Sequence, residues 1–139
     1  MKRFIYVVVV GLIINSCNSN NDDVYIDNTE LLGKWNWTST SGSILGIIIA
    51  TPVSLGKAIQ IIYHKDYTFS IKENSQEILS GNYNLEIGKN NREVKISYTD
   101  NYKKIEGLVL KGTYYFHSNN KLIISDGYAD GYQSIFEKE

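Results

Sequence analysis

His64 and His117 are the chain's two imidazoles and Cys17 its one thiol, so the side chains that most often hold metals or act as nucleophiles are few and far apart. A metal site needs three or four convergent ligands, and no such set is spaced around either histidine. His64 and Asp66 flank a tight turn, where a carboxylate that caps its own turn is the better account of Asp66. Asp126-Gly127 and Asp130-Gly131 have the look of a calcium loop but lack alternating acidic positions and a terminal glutamate, so they too read as turns. No serine sits at a nucleophile elbow, no glycine-rich loop opens a helix, and no pair of carboxylates shares a strand face. The expectation is a protein that is not an enzyme and needs no metal or cofactor.

Chemistry is expected instead at Cys17, through modification. Lys2 and Arg3 precede an apolar run from Phe4 to Ile14. Eleven residues at 1.5 Å each fall short of a bilayer core of roughly 30 Å, but they suit a signal peptide. The run ends in Ile14-Asn15-Ser16-Cys17, which resembles the lipobox of bacterial lipoproteins, although Asn15 departs from the usual small residue. The resemblance implies that residues 1–16 are removed and that Cys17 carries acyl chains enough to hold the protein on a membrane. Residues 17–29 then form a polar tether, rich in Asn and Asp. Acidic residues close behind such a cysteine resemble surface-export signals of Bacteroidetes-type lipoproteins, so the implied place is the cell envelope, anchored to the outer membrane and either periplasmic or surface-exposed.

The remaining residues, 30–139, form one domain, large enough to bury a core unaided. Eleven tyrosines, eleven glycines and a single proline lean towards an all-β protein. Without Lys2 and Arg3, 12 basic residues face 15 acidic ones, a charge of −3 that gives no reason to expect nucleic acid as a partner. From Lys34 onward the hydrophobic period is two. Trp35, Trp37 and Ser39 share one face of the first strand, with Asn36, Thr38 and Thr40 on the other. Ile59 to Tyr63 and Tyr67 to Lys72 make a hairpin around Lys65-Asp66. Leu79 to Ile87 follows, closed by a turn over residues 88–91, and then Val94 to Tyr98. The run from Ile105 to His117 reads as the longest strand, with Gly112 as a bulge or bend. Leu122 to Ile124 and Tyr132 to Lys138 complete eight strands. Short turns between them predict a closed up-and-down antiparallel barrel, which leaves no free edge.

One connection is long. Residues 41–56 include Ile44-Leu45-Gly46-Ile47-Ile48-Ile49, too apolar to be left in water. They are expected to cover the barrel mouth as a lid, to plug its end, or to extend the first two strands.

Gly33-x-Trp35 at the head of such a meander resembles the lipocalin superfamily. Together with the lipobox, the acidic tether and the Lys65-Asp66-Tyr67-Thr68-Phe69 hairpin, it is similar to lipocalin-like lipoproteins of the Bacteroidetes type over residues 30–138. That resemblance implies an eight-stranded barrel accepting a small apolar molecule, with Gly33, Trp35 and Lys138 as structural residues at the closed end. Most lipocalins lay an arginine across the tryptophan and end in a long helix. Here Lys138 stands near that position, Arg92 is the one arginine beyond the leader, and Glu139 is the last residue of the sequence.

The inward set then supplies a ligand site: Trp37, Ile61, Tyr63, Phe69, Tyr83, Tyr98 and Tyr114 within the barrel, with Ile47 and Ile49 from the loop above. Buried tyrosine hydroxyls need partners, so such an interior either fills itself or holds a small amphipathic molecule. Two functions follow. One is a membrane-tethered carrier of a small hydrophobic or amphipathic ligand, in or at the mouth of the barrel. The other is a non-enzymatic module that presents the 41–56 loop to an envelope protein, as an inhibitor, immunity or assembly lipoprotein would.

Overall fold

A computed structural model describes residues 26–42, 45–88, 93–99 and 104–139. The targeting segment, Cys17, most of the tether, Arg92 and most of the turn expected over residues 88–91 lie outside the described residues. Nine strands and one short helix follow in order: β1 (Gly33–Gly42), β2 (Ile47–Ala50), α1 (Pro52–Leu55), β3 (Ile59–Tyr63), β4 (Thr68–Glu73), β5 (Gln76–Ile87), β6 (Val94–Tyr98), β7 (Gly112–Ser118), β8 (Lys121–Ser125) and β9 (Tyr132–Lys138). All pairings are antiparallel, and β3 to β8 each pair with the next in sequence. β1 joins β3 on one side and β9 on the other, from Trp35↔Lys138 to Gly42↔Tyr132, which closes an eight-stranded barrel. The period-two pattern therefore does what it predicts, because a closed sheet buries one side chain in two and leaves no edge.

Two departures from strict alternation shape the interior. A bulge between Trp37 and Ser39 shifts the β1–β9 register, so the face assignment changes beyond it: Thr40, expected outside, is 1% exposed. A bulge adds a residue to one strand and re-aims those that follow. The second departure is larger. Residues 105–111, expected as the first half of a long strand, leave the sheet, and β7 starts only at Gly112. Gly112 has φ +136°, and a Cβ there would lie 2.0 Å from the Ser125 carbonyl oxygen, so the bend needs glycine. The freed segment lies across one mouth of the barrel with Ile105, Leu108 and Leu110 buried. That segment, and not residues 41–56, plugs the end.

Residues 41–56 instead extend β1. β2 folds back on its upper half, with Gly42↔Ile47 and Ser41↔Ile48 paired and then, across a bulge that leaves Ile49 as the extra residue, Thr40↔Ala50. Helix α1 follows, opened by Thr51, which caps Ser54 N–H through its hydroxyl, and closed by Gly56 at φ +63°. The hairpin stands largely in solvent. Leu45, Ile47, Ile48, Ile49 and Val53 are all at least half exposed, whereas Ala50 is buried beside Gly107. Smaller differences are local. Tyr67 sits in the turn before β4 at φ +61°, and Ile87, expected inside, is 41% exposed at the end of β5. Thr29 to Leu32 makes a turn, its start held by Asp27, whose Oδ1 accepts from both the amide and hydroxyl of Thr29.

Candidate functional site

At the end where residues 26–32 enter, Trp35 is fully buried and donates its indole N–H to the Leu31 carbonyl at 2.7 Å. Lys138 Nζ lies 5.1 Å from the Trp35 ring centre, a cation–π distance. Gly33 has φ +118°, and a Cβ there would lie 3.3 Å from Lys138 Cε. The three residues expected at the closed end thus meet.

The aromatic interior is packed and internally satisfied. Tyr63 and Tyr83 meet edge to face at 5.1 Å, and Phe69 and Tyr98 lie 4.4 Å apart. The Tyr63 and Tyr98 hydroxyls share a hydrogen bond of 2.8 Å. Tyr83 Oη accepts from Asn28 Nδ2 at 2.7 Å and donates to the His64 carbonyl. Asn28, 3% exposed, is a polar part of the core that the hydrophobic pattern could not reveal. Among the described residues no buried side-chain nitrogen or oxygen lacks a partner. Ile61, Tyr63, Phe69 and Tyr83 are at most 3% exposed, so this set fills the barrel with its own side chains.

A second polar chain crosses the plugged end. Trp37 Nε1 donates to Thr40 Oγ1 at 3.1 Å, Thr40 Oγ1 and Ser134 Oγ lie 2.7 Å apart, and Ser134 Oγ accepts from the Val109 amide at 2.8 Å. It ties β1, β9 and the plug together. Hydroxyls at these positions follow from the β1 bulge, which no sequence spacing signals.

Above that chain lies a solvent-open cleft of about 640 Å³, lined by Ile49, Leu108, Val109, Leu110 and Tyr132, with Thr40 at its floor and Lys104, Lys111 and Asp126 among its polar residues. Asp126 is engaged in its own turn, accepting from the Tyr128 and Tyr132 amides. Of the residues expected to bind a ligand, Ile49 lines this cleft. Ile47 stands on the hairpin, 56% exposed. Trp37 lines a smaller groove of about 310 Å³ beside β3, with Asn36 and Ile59. Tyr114 lines a cleft of about 480 Å³ with Glu30, Phe116 and Glu93, where burial, and then the nearby Glu30 carboxylate, push its phenol up to about 12. Leu108 and Val109 were missed because residues 105–111 were read as part of a strand; Lys104 precedes that run, and Tyr132 heads the last strand, as expected, where alternation alone does not mark a cleft.

The turn carboxylates behave as caps. Asp66 Oδ1 accepts from the hydroxyl and amide of Thr68, and these bonds hold it below the usual carboxylate range; Thr29 does the same for Asp27. The His64 and His117 side chains are exposed, and among the described residues no three His, Cys, Asp or Glu side chains gather as metal ligands do. No helix among them is long and apolar enough to cross a membrane. Comparison of the chain with protein-family models, curated proteins and solved structures returns no match.

Proposed function

We propose that this protein is a non-enzymatic, lipocalin-like lipoprotein of the cell envelope, tethered to a membrane through Cys17, which binds a small amphipathic molecule at the mouth of its barrel. The cleft under the β1–β2 hairpin carries the reading. Its volume of about 640 Å³ falls within the 300–1,000 Å³ typical of small-molecule sites, and an apolar wall with lysines among its lining suits a short aliphatic body with a polar end. The filled interior argues for a ligand held at the mouth and not among Tyr63, Tyr83 and Tyr98. Ile49 reaches the cleft from the hairpin, so the hairpin takes part in access.

Tryptophan fluorescence tests this, because Trp37 is bonded to Thr40 at the cleft floor. A medium-chain fatty acid is expected to change the emission saturably, and Ile49→Glu to weaken the effect. An unchanged spectrum, together with no adduct in native mass spectra of protein purified from its own host, would count against the reading.

A second reading is favoured by a separate observation. Five large apolar side chains exposed along one hairpin and its following helix suit a protein-docking surface, and on that reading the barrel is the rigid base of an interaction module of the envelope.

A further inference from the structure

We infer that the β2 edge of the hairpin pairs with the β2 edge of a second copy of this chain, antiparallel and about a two-fold axis near Ile48. The inference deepens the docking reading by naming its occupant.

Three features converge on an extended strand as that occupant. Among the described residues β2 pairs only with β1, and no turn, loop or cap hydrogen bond between main-chain groups involves residues 47–50. The outer edge of β2 therefore presents its backbone N–H and C=O groups unpaired, an arrangement proteins normally blunt with charge or proline; β2 has neither, and its one irregularity is the bulge at Ile49, just beyond Ile48. Ile47, Ile48 and Ile49 are 56%, 64% and 51% exposed, so side chains on both faces of the strand are wet. Water satisfies the backbone but leaves three isoleucines exposed, whereas a lipid phase satisfies the isoleucines but leaves the backbone unpaired at several kcal/mol per group. Another β-strand pairs the backbone and sets its own apolar side chains beside the isoleucines.

Charge and symmetry select a second copy. No charged residue occurs between Lys34 and Lys57, so two hairpins brought together about a two-fold axis oppose no like charges along β1, β2 or α1. An antiparallel pair of identical strands is self-complementary, as an isologous contact requires. The five exposed side chains offer on the order of 500 Å² of apolar surface, at the upper end of a monomer's usual patch. Two copies together expose about 1,000 Å², the scale on which specific interfaces are built. The hairpin also projects from the barrel end opposite Ile26, whose carbonyl accepts from Tyr67 Oη beside the β3–β4 turn.

Directed cross-linking of the full chain tests the register. In the Cys17→Ser background, Ile48→Cys places two thiols across the axis, where opposed antiparallel Cα atoms lie about 4.5–5.5 Å apart, inside the range of about 4.4–6.8 Å for a disulfide. Mild oxidation in detergent is expected to convert most of this variant to a covalent dimer. Ile78→Cys, an exposed apolar position on β5, is expected to give little. Without engineered cysteines, Ile48→Lys is expected to raise the dimer dissociation constant about a hundredfold or more by opposing like charges, with the thermal midpoint retained because the site is exposed. Equal cross-linking at Ile48 and Ile78, or a dimer indifferent to Ile48→Lys, overturns the inference. If the Ile48→Cys variant in host membranes joins a different protein, self-pairing fails while the docking reading stands. If the hairpin instead binds only liposomes, both fail.

Discussion

Replacing Ser134 by alanine probes the knot that holds the plug across the barrel mouth. Ser134 is 0% exposed, its hydroxyl takes the Val109 amide at 2.8 Å, and it lies 2.7 Å from Thr40 Oγ1. Alanine removes no carbon, so the cavity contribution is small. It leaves the Val109 donor without its acceptor, at about 1–3 kcal/mol, and deletes the hydroxyl pair, at about 1 kcal/mol. The expected loss is therefore about 2–4 kcal/mol, a large fraction of the ~5–15 kcal/mol of a domain this size. Equilibrium urea unfolding should show a lower midpoint at an unchanged slope. Thr40→Val removes the same hydroxyl pair from the other side and strands the Trp37 indole N–H. The double variant should thus lose about 1 kcal/mol less than the two single losses combined. Hydrogen exchange at the Val109 amide should quicken in Ser134→Ala. A stability change within about 0.5 kcal/mol, with Val109 protection unaltered, would refute the claim that this hydroxyl chain fastens the plug.

Other expectations are more local. Leu110→Ala, at a fully buried plug position, should cost about 2–5 kcal/mol in urea unfolding, whereas Ile78→Ala, 47% exposed, should stay within about 0.5 kcal/mol. Gly112→Ala should cost about 3 kcal/mol or more or abolish folding, because the backbone is at φ +136° and a Cβ meets the Ser125 carbonyl; a near-neutral variant would contradict the bend. In an ultraviolet titration one phenol should ionise near pH 12, and Tyr114→Phe should remove that step. Its folded value lies above the ordinary 10.0, so the folded state holds this proton more tightly. The associated stability is complete below about pH 10 and is lost as the pH rises towards 12.

The barrel was legible in the sequence because each of its strands buries one face, and alternation survives wherever a closed sheet does the burying. Trp35, Ile61, Ile71, Tyr83, Ile96 and Phe136 fell on the inward face for that reason. The same logic failed at residues 105–111. An extended segment laid across a barrel mouth also buries alternate side chains, here Leu108 and Leu110, so its pattern is that of a strand. Gly107 and Gly112, both at positive φ, were the visible signal that the backbone turns there. The bulge in β1 left no trace in residue types, and with it went the prediction of Thr40 as an inward hydroxyl. The apolar 41–56 segment was expected to be covered, yet Leu45, Ile47, Ile48 and Ile49 stand at least half exposed, because hydrophobicity alone does not distinguish a plug from an exposed hairpin. The mouth cleft depends on both missed features, which is why the expected ligand residues clustered in the interior.

Amide chemical-shift mapping with a medium-chain fatty acid tests most directly whether binding belongs to the mouth of a filled barrel. Saturable shifts are predicted at Ile49, at residues 107–110 and at Tyr132, with Tyr63, Tyr83 and Tyr98 still. Shifts concentrated on those three tyrosines, or none anywhere, would contradict it.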